Sequence, residues 1–301
     1  MLDPWFPNAG EFYSTLCALL WASGVILFKK SGESVPPVAL NLFKDVVGML
    51  LFLAVILFFG LPITIDQHPL NDWCILLLSG AIGIGLADTL FFASLNRIGA
   101  GRSAIVDCLY SPFIILCSFF FLEEKIGISL LLSLALMIIG IIIGTWKPEN
   151  TACPAERRKI FTGVMLGVLS MLLMAVSISM AKPVLDRSDP WWATTVRLAG
   201  GIALLAVQGA TRRNRGSVWR CFRPGPHWKV VVPAAILGGF LAMFFWIAGM
   251  KYTDTTIASV LNQLSTIFVL FFATLFLKEP LTKRKIAAIL LGFGGGVIAA
   301  L

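Results

Sequence analysis

Apolar residues run through this chain in long stretches that short polar gaps separate. Ten stretches reach the roughly 20 residues a helix needs to cross a hydrocarbon core about 30 Å thick. They cover about 11–30, 37–60, 73–96, 101–122, 127–146, 160–184, 190–209, 229–250, 255–277 and 282–301. Barrel strands would show short segments of strictly alternating polarity instead, and none appears. The pattern predicts an all-α, polytopic membrane protein with ten transmembrane helices. Several gaps, such as 97–101 and 278–280, are so short that sequential helices must lie antiparallel.

The pattern is also written twice. Lys29 and Lys44 are spaced as Lys182 and Arg197 are, at an offset of 153. The segments 93–99 and 122–127 recur at 248–254 and 277–282, at an offset of 155. Each half, 1–150 and 151–301, holds five spans. An odd number forces the second half into the membrane in the opposite sense, which predicts two inverted five-helix repeats. Transporters built this way hold their substrate near mid-membrane where the repeats meet.

Composition narrows the function classes. Apolar residues make up 58% of the chain and charged ones only 13%, too few for soluble domains. The formal net charge is +8. Its Lys and Arg lie mainly in the gaps, where they set topology, so no nucleic-acid partner is expected. Six scattered cysteines and two histidines offer no metal-binding spacing, and no metal or cofactor is expected. The first apolar run lacks a basic leader and reads as a retained helix. Most Lys and Arg follow odd-numbered spans; only Lys125, Lys182, Arg187 and Lys251 lie opposite. That asymmetry places both termini outside. Small-residue pairs at Gly140/Gly144, Gly163/Gly167 and Gly292–Gly296 mark close helix approaches, within the bundle or at a dimer face.

Trp21 followed by Lys29, the Pro36-Pro37 turn and Lys44 resemble the opening of an EamA repeat, as do Lys182 and Arg197. Ser94 to Gly127, with Leu122-Glu123-Glu124, resembles its close; so does Gly249 to Thr282, with Leu277-Lys278-Glu279. The chain is thereby identified as resembling the ten-helix drug/metabolite transporter superfamily. That resemblance implies secondary transport of a small molecule, often export (efflux), through a central cavity lined by helices 1, 3, 4, 6, 8 and 9. It implies cytoplasmic termini, against the charge count. Glu124 and Glu279 match the family's closing glutamate and read as helix-end contacts. Met174 departs from the pattern where a tryptophan is expected, and Ala22 where a glycine is.

The chemistry lies in charges inside the spans: Lys44, Asp45, Asp88, Asp107 and Arg197. Each costs about 2.5–3.5 kcal/mol at a helix centre, so they must pair or be wetted. Asp107, Tyr110 and Ser111 share one helix face, and Asn262, Ser265 and Thr266 share the equivalent face. Pro112 frees a backbone carbonyl among them. The expected cavity set is Asp88, Asp107, Tyr110, Ser111, Asn262, Gln263, Trp246, Lys44 and Arg197. Asp88 and Asp107 are the proton-coupling candidates. At the 155 offset, Asp88 falls opposite Met243 and Phe91 opposite Trp246.

These residues predict a secondary transporter for a small metabolite or drug-like molecule, working by alternating access in the cell (inner or plasma) membrane as a monomer or homodimer. A phosphate loop and hydrolase motifs are absent, which argues against an ATP-driven pump and an enzyme. The alternatives are a non-transporting scaffold or receptor and, further off, a membrane-embedded enzyme.

Overall fold

A computed structural model describes residues 8–60, 68–122, 128–145, 154–211, 215–253 and 255–299. All the regular structure among them is helical. The first half contributes α1 (Ala9–Ser31), α2 (Pro37–Phe59), α3 (Leu70–Gly80), α4 (Asp88–Ile98), α5 (Ala100–Asp107), α6 (Tyr110–Leu122) and α7 (Ile128–Thr145). The second contributes α8 (Pro154–Arg187), α9 (Pro190–Thr211), α10 (Arg215–Arg220), α11 (Trp228–Ala234), α12 (Ala242–Tyr252), α13 (Thr255–Asn262), α14 (Leu264–Phe276) and α15 (Lys283–Ala299). Pro37 starts α2 where its missing N–H costs nothing, and Gly60 ends it in the left-handed region.

Among the described residues, seven helical stretches are long and apolar enough to cross a membrane: α1, α2, α3–α4, α5–α6, α8, α9 and α11–α12. Three of the ten expected spans fall short among the described residues. The first, 127–146, loses both ends because 123–127 and 146–153 lie outside them. The second, 255–277, is broken at Gln263, and its longest apolar piece is Leu264–Phe276. The last opens on Lys283-Arg284-Lys285 and ends beyond the described residues. The half boundary at 150 and Glu124 also lie outside the described residues.

α3 and α4 form one continuous rod, widened into a π-turn over Ala81–Ala87. α11 and α12 do the same over Ala235–Leu241. A π-turn departs from the regular i→i+4 ladder, and at the first of the two, side chains from neighbouring helices donate to its carbonyls. Asn41 of α2 does so, its Nδ2 reaching Ile84 O at 2.7 Å and Gly85 O at 3.1 Å. Ser170 and Ser177 of α8 add bonds of 2.7 Å to Ala87 O and Ser79 O.

These paired features reveal a register that the sequence comparison misses. The π-turns lie 154 residues apart, and so do Asn96 and Met250, whose carbonyls accept from Lys29 (3.5 Å) and Lys182 (2.8 Å). Asp88 is therefore equivalent to Ala242, not Met243, and Phe91 to Phe245, not Trp246. The offset reverts to 155 afterwards because two residues separate α12 from α13 where only Gly99 separates α4 from α5. Gly99 sits at φ 82, ψ 169, a conformation open essentially to glycine.

Close approaches hold the bundle together. α7 lies along α15, and a Cβ on Gly140 would come within 2.9 Å of Ala288 O. That glycine packs inside the chain, so it is not a free dimer face. α8 spans the bundle: Gly163 near its start meets Ile98 at the end of α4, and Lys182 near its end meets Met250 of α12.

Candidate functional site

The site grows from two interrupted helices. Pro112 cannot donate to Cys108 O, four residues earlier, so the chain breaks between Asp107 and Tyr110. The freed carbonyl takes a 2.9 Å hydrogen bond from Gln263 Nε2, which also reaches Ser111 Oγ at 2.9 Å. Gln263 itself lies at the break between α13 and α14. The second break thus supports the first. A carbonyl oxygen only accepts, so the Gln263 amide nitrogen must face Cys108, and its Oε1 is left buried without a partner.

Around these breaks lies a central cavity of about 140 Å³. Residues a half-chain apart line it in pairs: Ala18 and Met171, Trp21 and Met174, Ile84 and Gly238, Asp88 and Ala242, Asp107 and Asn262, Tyr110 and Ser265. Met174 thus stands in the wall where the repeat pattern expects a tryptophan. Cys17, Phe91, Met243, Trp246, Gln263 and Thr266 complete the wall. Most of this surface is apolar, with several aromatic and thioether side chains and a few polar groups, as small-molecule pockets are built.

Of the nine expected cavity residues, Asp88, Asp107, Tyr110, Trp246, Asn262 and Gln263 face this space. Lys44, Arg197 and Ser111 do not line it. Ser111 is buried as an acceptor for Gln263. Lys44 is wholly buried, holding Asp88 in a short charge-assisted hydrogen bond and Asp45 at 3.0 Å. Its charge answers two carboxylates at once. Arg197 donates to Ser177 Oγ at 3.1 Å and lies over the Trp246 ring, 5.4 Å from its centre. Lys44 and Arg197 occupy equivalent positions yet have different partners, because Asp88 has only Ala242 opposite it.

Asp107 is different. Its carboxylate lines the cavity, Oδ1 has no hydrogen-bond partner, and among the described residues no cation is paired with it. Both polar atoms of Asn262 are likewise unpartnered. Desolvated and unsatisfied groups of this kind cost about 1–3 kcal/mol each, more when charged, and a bound molecule or water recovers that cost.

Sequence reasoning missed Asn41, Ser170 and Ser177, which donate to carbonyls in and beside the π-turn, and the cavity residues Cys17 and Met171. Asn41 carried a signal, since it is a polar residue inside a span, three positions before Lys44. The others are small or apolar residues whose role depends on where the helices cross.

At the bundle's edge, the Glu279 carboxylate accepts from Ala100 N–H (2.9 Å) and Gly101 N–H (3.1 Å) and pairs with Lys285 at 3.2 Å. It caps the start of α5, a helix-end contact.

The pattern of the EamA-like transporter family matches residues 8–146 and again residues 161–301. The chain belongs to the EamA-like transporter family. Relatives agree with that membership. Protein PecM of Dickeya dadantii is 25% identical over 229 residues, covering 74% of this chain and 72% of PecM. An uncharacterized transporter of Archaeoglobus fulgidus is 21% identical over 280 residues, or 92% of each chain. A solved crystal structure superposes with a TM-score of 0.69 at 18% identity, over 97% of this chain and 96% of its own, and so shares the fold. With its seven apolar helices, this EamA-like chain is an integral multi-pass membrane protein of a transporter family.

Proposed function

We propose that this protein is a secondary transporter that carries a small metabolite or drug-like molecule out of the cell by alternating access. The observation that carries the proposal is the central cavity, where partnerless polar groups of Asp107, Asn262 and Gln263 sit among aromatic walls deep inside the spans. A scaffold has no use for such groups, and lipid would penalise them.

The proposed architecture is ten spans in two five-helix units, 1–150 and 151–301, inserted in opposite senses in the cell membrane. The repeated family match supports it, as does α8, whose two ends neighbour the ends of α4 and α12 respectively. The cavity lies within one chain, so a monomer suffices and a homodimer would carry two. Alternating access then rocks one unit against the other about the paired breaks at 107–110 and 262–264. Asp88 and Asp107 are the proposed proton carriers. Asp88 is held by Lys44, so gain or loss of its proton alters an ion pair that ties α2 to the cavity wall.

The test is reconstitution in liposomes loaded with extract of cells that make the protein, followed by counterflow and identification of what leaves. One or a few solutes should move, and Asp107→Asn should change the rate or its dependence on a pH gradient. Vesicles that release nothing beyond protein-free controls would end the transport reading. If Asp88→Asn and Asp107→Asn both leave rate and pH dependence untouched, the coupling assignment fails.

A further inference from the structure

We infer that the central cavity is built for a small organic cation, an amine bearing N–H donors on a flat apolar body. This class assignment rests on reading the cavity as a substrate site. Three observations converge on it.

The first is the sign of the polar groups. Gln263 spends its amide donors on Cys108 O and Ser111 Oγ and offers only Oε1. Asp107 offers a carboxylate whose Oδ1 has no hydrogen-bond partner and with which no cation among the described residues pairs. At Asp107 and Gln263 the wall therefore presents acceptors, while Asn262 and the Tyr110 hydroxyl, also without a partner, can donate as well. A carboxylate or phosphate ligand would meet lone pairs on Asp107 and Gln263, whereas an ammonium meets partners.

The second is the balance of charge around the cavity. Lys44 is already claimed by Asp45 and Asp88, so it is not left over to meet an anionic ligand. Arg197 is not in the wall, and the Trp246 ring that its guanidinium covers is. Among the described residues the wall itself holds two carboxylates, Asp88 and Asp107, and no cation.

The third is the apolar wall. Trp21, Phe91, Tyr110 and Trp246 line it, rings of the kind that attract cations and stack on flat molecules. Met171 and Met174 add adaptable, polarisable surface.

Three probes that share one indole ring and differ in the head group isolate the claim: tryptamine, indole-3-acetate and indole-3-ethanol. Calorimetry on the purified full chain in lipid nanodiscs should find tryptamine bound at least about tenfold more tightly than either of the others, the worth of one hydrogen bond to a charged group. Asp107→Asn should bring the three within about twofold of one another. Asn262 lies in the equivalent place on the opposite break, so the exchange Asp107→Asn with Asn262→Asp should regain a preference of about fivefold or more. That regain also shows that the single variant still folds.

Equal or tighter binding of the acid or alcohol, an amine preference that survives Asp107→Asn, or no amine binding would each overturn the inference. The transport reading is judged separately by counterflow. Flux of an anionic or neutral solute sinks the cation assignment alone, while tight amine binding with no flux of any solute sinks transport alone.

Discussion

Lys44 is the buried charge whose removal tests the electrostatics most sharply. It pairs with two carboxylates, so Lys44→Met strands Asp45 and Asp88 together in a desolvated place. Breaking a buried pair by deleting one partner costs about 3–5 kcal/mol, and two like charges left side by side place the loss at the upper end. Asp88→Asn acts the other way. It leaves Lys44 matched one to one with Asp45, and the new amide oxygen still accepts from Nζ, so the loss should stay within about 1 kcal/mol, the net worth of a hydrogen bond. The triple variant Lys44→Met, Asp45→Asn, Asp88→Asn removes every charge and should recover much of what Lys44→Met loses, because buried ion pairs seldom exceed neutral packing by much. Equilibrium unfolding in mixed detergent and dodecyl sulfate micelles, followed by helical circular dichroism, measures all three. Lys44→Met falling within about 1 kcal/mol of wild type, or Asp88→Asn costing as much as Lys44→Met, would refute the reasoning.

Four further outcomes follow from named contacts. Gln263→Leu strands Cys108 O and should cost about 1–3 kcal/mol; in a Pro112→Ala background, where residue 112 donates to that carbonyl again, the loss should shrink by about 1 kcal/mol or more in a double-mutant cycle. Glu279→Ala uncaps α5 at a cost of about 0.5–2 kcal/mol, read as faster amide exchange at Ala100 and Gly101. Gly140→Val drives a side chain into Ala288 O and should cost about 1–3 kcal/mol in the same unfolding assay. Burial pushes the Cys221 thiol up to about 11, so little thiolate exists at pH 7.5 and maleimide labelling should be slow until the protein unfolds; labelling as fast as that of a free thiol would contradict its burial.

The recurrence of Lys29 and Lys44 as Lys182 and Arg197 showed that this chain repeats after half its length. Periodicity and length determined that it is helical and lies in a membrane, because both are set by what the bilayer demands of every span. The acidic and amide residues at 107, 262 and 263 were legible for the same reason, since a polar group at mid-span is costly and stands out. Pro112 even announced the freed carbonyl. What took Cys108 O was decided only in three dimensions, where a helix 155 positions away brings Gln263 within 2.9 Å. The fates of Lys44 and Arg197 were also beyond a linear reading. Their positions match, but Asp88 lies beside one and Trp246 beside the other, and neighbours across helices depend on crossing geometry. The 154 register of α4 and α12 shows the same limit: degenerate apolar letters tolerate a one-residue slip, whereas a hydrogen bond from Lys182 to Met250 O does not.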